Sequence, residues 1–416
     1  MKYKQTKFGK IPENWDVKTV DQVADVVTDY VANGSFASLA ENVVYKENED
    51  FAVLVRLSDY NNDFRGNFVF IDEHAYNFLK KSQLHGGEII IANVGANVGT
   101  VFLCPKLPYK MSLGPNAITV KFRGNNDFYY FWLKSSIGQS MLLTLVTGSA
   151  QPKFNKTNFR AMTVPVPPRD VQDKVASVLS ALDKKIAINK AINKNLEATA
   201  QAIFKSWFVD FEPFGGVMPA DWSLCSLKEF ASICNRTFDP KKHTDIILEH
   251  YSIPAFDSNR LPVVELSNNI ESNKFIVDIE CCLISKLNPS KKRVWKPYCL
   301  CDFSVCSTEF IVYKAKRTEN TNFLYSVLNS DNFSKFMCSH VTGTTGSRQR
   351  TQPATTLDFV FALPSEDVLC KFDKIFGTLY ERSKCTMIEN QRLAAIRDTL
   401  LPKLMSGEID VSQVKI

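Results

Sequence analysis

Apolar positions along this chain change their period twice, in the same order each time. Glu88 to Asn93, Thr100 to Cys104 and Ala117 to Phe122 are short runs rich in Val, Ile and Phe, separated by Gly, Pro and Asn. That pattern predicts strands. From Asp170 the spacing lengthens: Val171, Val175, Val178, Leu182, Ile186, Ile192, Leu196, Ile203 and Trp207 recur at mostly three- and four-residue steps, with no Gly or Pro before Pro213. This predicts one helix of about 40 residues, roughly 60 Å long at 1.5 Å per residue. Strand-like runs then return at Ile276 to Ser285, Val294 to Lys296 and Glu309 to Tyr313. A second helical stretch follows through Phe372, Ile375, Leu379, Leu393, Ile396, Leu400 and Leu404, with a polar middle at Arg382 to Thr386 and Pro402 near its end. Phe128 to Leu145 and Asn322 to Val341 read as amphipathic helices inside the two strand-rich parts.

The double alternation is an internal repeat. Ile11-Pro12-Glu13-Asn14-Trp15 returns as Met218-Pro219-Ala220-Asp221-Trp222, and Val146-Thr147-Gly148-Ser149 returns as Val341-Thr342-Gly343-Thr344. The helical segment from Asn193 to Phe204 likewise matches Asn390 to Leu401. The expectation is an α+β chain in which two mixed α/β globules alternate with two long helices. Helices of matched length most economically pair as an antiparallel coiled coil, and polar stretches such as Asp183-Lys184-Lys185 and Lys190 to Asn195 suit an exposed rod.

Length allows this plan, since 416 residues exceed what one core normally organises. No apolar run approaches a membrane span, and Met1 to Lys10 carries lysines without the apolar stretch of a secretory signal, so a cytoplasmic protein is expected. Ten of the eleven cysteines follow residue 220, mostly within apolar runs such as Cys281-Cys282-Leu283-Ile284. Small buried thiols in a reducing compartment account for them more simply than disulfides or zinc, because no Cys-x-x-Cys pair exists. The net charge of +6 is spread as a mild basic excess over both globules, which permits nucleic-acid binding without demanding it.

Catalytic constellations are missing. The single Gly-Lys, Gly9-Lys10, is followed by Ile11, so there is no phosphate loop. Pro167-Pro168 is flanked by Val166 and Arg169, not by the residues of an amino-methyltransferase motif. Neither Glu-x-Lys, His-Glu-x-x-His nor Gly-x-Ser-x-Gly occurs, and Asp16-Val17-Lys18 lacks a partner carboxylate. The chain reads as a binder.

Two pairs of repeated loops are the candidate binding elements. Asn93 to Gly99 resembles a nucleotide loop superficially, but a strand follows it, so it is a hairpin tip offering Asn93 and Asn97. Its counterpart between strands offers Lys286, Asn288, Lys291, Lys292 and Arg293. The second pair leads toward each long helix. Gln151, Lys153, Asn155 and Lys156 stand in the first copy and Arg348, Gln349 and Arg350 in the second. Amides can read adenine edges, and cations can read guanine or clamp phosphate. Solvated turns are the plain alternative for each loop.

Taken together, Ile11 to Trp15, Val164-Pro165-Val166-Pro167-Pro168 before the first helix, Ser206 to Phe214 at its end and Leu400 to Glu408 near the C-terminus resemble the DNA-specificity subunit of type I restriction-modification enzymes. Ser252 to Phe256 and Ile284 to Pro289 are similar to motifs of one recognition-domain class of that family. Gln172-Asp173 departs from the Glu-Gln common after the prolines, and Ser365-Glu366-Asp367 lacks a Pro-Pro pair. The resemblance implies target-recognition domains at 1–166 and 213–364, with spacer helices at 167–212 and 365–416. Each domain would read half of a bipartite, asymmetric duplex-DNA target. Partners implied are methylation subunits, in two copies, carrying S-adenosylmethionine, and a motor-nuclease subunit. No cofactor or metal is expected on this chain. A protein-protein scaffold with two paralogous globules is the rival reading, favoured by DNA binding that is absent or insensitive to salt.

Overall fold

The computed structural model describes residues 2–342, 349–412 and 414. The α+β expectation holds, in two compact units. One comprises the described residues of 1–186 and 392–416, the other residues 187–391.

In the first unit an antiparallel sheet has the order Ala24–Asp29, Ala117–Phe122, Ile89–Ala92, Val101–Leu103. Ile118 stands opposite both Asp29 and Ile91, and Ala117 opposite Ala92. A second sheet has the order Val69–Ile71, Ala52–Val55, Lys110–Leu113, Gln83–Leu84, its two central strands parallel. The strand Ala52–Val55 is wholly buried because Leu39, Tyr76 and Leu79 of short covering segments pack on it. The stretch expected as one helix from Phe128 is two, Asn126–Lys134 and Ser136–Leu143. Ser135 breaks it: its hydroxyl accepts from the Gly138 amide, and Gly138 lies so close to the Trp132 carbonyl that a Cβ would sit 2.0 Å from that oxygen.

The second unit repeats the antiparallel sheet with the order Ala231–Ile233, Phe310–Ala315, Cys281–Ser285, Val294–Trp295. Beside it lies a five-stranded sheet, Thr237–Phe238, Lys274–Ile276, Ser304–Ser307, Ile247–Tyr251, Val263–Leu266. The run Ile276 to Ser285 is therefore not one strand. It turns at Asp278, whose carboxylate accepts from the Glu280 amide, and passes from one sheet to the other. The helical stretch from Asn322 is also divided, into Thr321–Leu328 and Asp331–Ser339, at the capping Ser330.

Both long helices form, Arg169–Phe208 and Glu366–Met405, each of 40 residues. In the first unit Val175 and Leu179 share a core with Leu404 and Met405, and Arg397 donates to Asp183 at 2.8 Å. In the second, Phe204 and Phe208 pack on Phe372. There the fully buried Asn189 donates to Glu389 and Asn390 at 2.8 and 3.0 Å, and Thr386 donates to Asn193. Within each unit rising numbers on one helix meet falling numbers on the other, so the pairing is antiparallel.

The repeated tryptophan motif seats each unit on a helix end. Trp222 packs among Phe208, Phe211 and Phe214. Trp15 and Pro12 close over Gly407, which has φ +70° and would place a Cβ 2.5 Å from Pro12, so only glycine fits. Cys104, Cys225, Cys281, Cys282 and Cys306 are core residues, but Cys370 and Cys385 are exposed on the second long helix, where the helical period turns them outward.

Candidate nucleic-acid interface

The loops singled out in the sequence lie far apart along the chain, yet backbone hydrogen bonds join them in both units. In the first, Thr147 and Lys153 exchange bonds of 2.8 and 2.9 Å. The Gly95 amide donates to the Pro152 carbonyl at 2.9 Å, and the Phe154 amide to the Asn93 carbonyl at 3.0 Å. Asn93 completes the clasp, its side-chain amide donating to the Phe154 carbonyl at 3.0 Å. Asn155 caps the helix Lys156–Ala161 by accepting from the Asn158 amide at 2.7 Å, and Lys156 donates to Asp29 at 2.9 Å. These three side chains hold the loops in place. Asn97, Gln151 and Lys153 are exposed, and Lys153 has no ion-pair partner among the described residues.

In the second unit the Asn288 amide donates to the Gln349 carbonyl at 2.8 Å, and the Thr351 amide to the Lys286 carbonyl at 3.1 Å. Leu287 bridges Arg350, which pairs with Thr342, just as Val94 bridges Lys153, which pairs with Thr147. The cations are mostly engaged. Arg293, only 6% exposed, makes a two-pronged bond to Asp257 at 2.6 and 2.7 Å, which holds that carboxyl below its ordinary pKa. Lys292 donates to the Asn329 carbonyl and to Asp331 at 2.9 and 3.0 Å. Arg350 grips Glu309 through two nitrogens at 3.0 and 2.9 Å and lowers its pKa likewise. Lys291 is exposed, and Asn288 takes a left-handed φ of +48°. Gln349 is half-buried; Arg348 lies outside the described residues.

Lys286 lines a cleft of about 320 Å³ with Asn235, Thr237, Phe275, Phe310 and Pro353. Asn235 and Thr237 escaped the sequence reading. Their signal was weak, polar residues just past a two-sided strand, and only the fold brings them beside Lys286. The set supplies amides, hydroxyls and cations on rigid backbone, the groups that meet base edges and phosphates. Among the described residues no group of three or more His, Cys, Asp or Glu could hold a metal ion. His250 is half-buried and bonded to Glu265 at 2.8 Å; burial lowers its pKa, which makes it a neutral packing residue near pH 7.

Residues 12–198 match the family described as the type I restriction modification DNA specificity domain. The chain is also 24% identical to the type I restriction enzyme MjaIX specificity subunit of Methanocaldococcus jannaschii, over 99% of this chain and 97% of that protein. The chain is thus similar to type I specificity subunits along nearly its whole length. Another similar specificity subunit, HindI of Haemophilus influenzae, is 23% identical over 62% of this chain and 71% of its own. The solved S subunit of the type I restriction-modification system from M. genitalium shares the fold of this chain. It has a TM-score of 0.58 at 16% identity and covers 96% of this chain and 99% of its own. No helix among the described residues is long and apolar enough to cross a membrane.

Proposed function

We propose that this chain is the DNA-specificity subunit of a type I restriction-modification complex, each unit reading one half of a bipartite, asymmetric target. One observation carries the reading. The hairpin tip and the loop before the long helix are clasped by equivalent backbone bonds in both units, while the side chains displayed differ. A common scaffold with unlike surfaces is what two unlike half-sites require. The uninterrupted 40-residue helices act as the spacer that sets half-site separation, since both readers must engage one duplex. Exposed Asn97, Gln151, Lys153 and Lys291 make the direct contacts, and the engaged side chains shape the loops.

Chemistry belongs to partners in this reading. Methylation subunits, two per complex, bind S-adenosylmethionine and flip the target adenine, and a motor-nuclease subunit joins through them in the cytoplasm. The chain itself is non-catalytic. Methylation mapping of a genome in cells expressing this chain with its methylation subunit, against cells with that subunit alone, tests the proposal. A split, asymmetric adenine-methylated motif that requires this chain is the expected result. A stable complex that leaves no such motif and binds DNA without salt dependence would favour the scaffold reading.

A further inference from the structure

Phe36 is 82% exposed, the most exposed large apolar side chain among the described residues, and Val31 nearby is 44% exposed. The helix Phe36–Asn42 makes its core contact through Leu39, so Phe36 is not needed to hold it. Topology places this segment. The strand Ala24–Asp29 ends at Asp29, opposite Ile118, one residue from the Ala117–Ala92 pair at which the 93–99 tip departs. Lys156, directly after the clasped loop, is bonded to the same Asp29. The turn Tyr30–Asn33 and Phe36 therefore leave the sheet at the end that carries both candidate reading loops.

Two cations stand beside the turn. Asn33 accepts from the Lys81 amide at 2.9 Å and donates to Ser82 at 2.8 Å, while the Lys81 ammonium donates to the Ala32 carbonyl at 3.1 Å. Lys80 and Lys81 are both exposed. An exposed aromatic just beyond a turn that is bonded to an exposed lysine fits duplex DNA, where an apolar wedge can enter a base step while cations meet the flanking phosphates. At this place the second unit has exposed Lys241, Lys242 and His243, but no large apolar side chain is exposed between Ile233 and Asp245. After Ile233 its chain runs directly into the strand Thr237–Phe238, and Phe238 is buried.

We propose that Phe36, with Val31, is a wedge that the first unit sets into the base stack of its half-site, with Lys80 and Lys81 on the adjacent phosphates. The inference rests on the DNA-reading function above. Its test uses the complex of this chain with its methylation subunit and duplexes carrying the mapped target, with 2-aminopurine at positions other than the methylated adenine. The wild-type complex should raise fluorescence at one half-site only. Phe36→Ala should abolish that rise and weaken binding on the order of tenfold, whereas Phe36→Trp should retain much of both. Because Phe36 is exposed, Phe36→Ala should melt as wild type does. Wild-type fluorescence and affinity in Phe36→Ala would overturn the wedge alone. If the wild-type complex leaves no bipartite motif at all, the DNA-reading function falls, and the wedge with it.

Discussion

In the first unit Asp29 ends its strand against Lys156, the first residue of the helix that follows the clasped loop. In the second unit the helix at that place begins with Pro353, which has no cation to offer, and the cleft beside Lys286 and Asn235 stands open. The covering layers differ as well. Ala52–Val55 of the first unit is sealed on both faces, whereas Val264 and Leu266 on the edge strand of the five-stranded sheet, and Ile247 on the strand beside it, are exposed. What stays constant is backbone pairing; what varies is side chains and the layers outside the antiparallel sheet. Hydrogen bonds between main-chain groups tolerate almost any sequence, so a duplicated scaffold can keep its geometry while its surface diverges.

Arg293 should separate bracing residues from reading residues most strongly. Arg293→Ala removes a buried two-pronged bond and should destabilise the second unit by about 2–3 kcal/mol in denaturant melts, while Lys291→Ala leaves the melt unchanged and weakens DNA binding. If Arg293→Ala instead melted normally and impaired one half-site, that arginine would be a reading residue and not a brace. The helix pair gives the next contrast. Asn189→Ala should cost about 1–2 kcal/mol because a fully buried amide network is lost. Asp183→Ala, which breaks a partly exposed ion pair in the first unit, should cost less than about 1 kcal/mol.

Lys153→Ala and Arg350→Ala sharpen the loop comparison. The first should lower the salt dependence of binding by about one released ion with no change in melting, as expected for a free cation on phosphate. The second should act mainly through the lost grip on Glu309, shifting stability before salt dependence. The smallest effect is one of pH. His250 has its pKa lowered below the ordinary 6.5 by burial, so the unfolded chain takes up its proton first as pH falls. The second unit should therefore lose stability as pH drops below about 6.5, and His250→Gln should flatten that part of the profile.

Much of this was legible in the chain. The long helices show in unbroken three- and four-residue spacing because a helix is a local structure, and the repeated Ile11 to Trp15 and Met218 to Trp222 motifs announce the duplication. Serine breaks in the shorter helices were missed because Ser135 and Ser330 sit inside apolar stretches whose period continues across them. The loops could be paired with each other by homology between copies. That the 93–99 tip meets residues 147–154 could not be read, since those bonds join backbone groups and leave no mark on residue type.

Sequence by itself determined the alternation of sheets and helices, the two-copy plan and the composition of the candidate loops, because periodicity and turn residues act over a few positions. Tertiary structure decided which cations remain free. Lys153 and Arg350 look alike in the sequence and occupy equivalent places, yet among the described residues only Arg350 has a carboxylate within reach, Glu309, held in the turn between the strands Ser304–Ser307 and Phe310–Ala315. A side chain's availability depends on what packing places within about 3 Å of it, and that is a property of the folded chain.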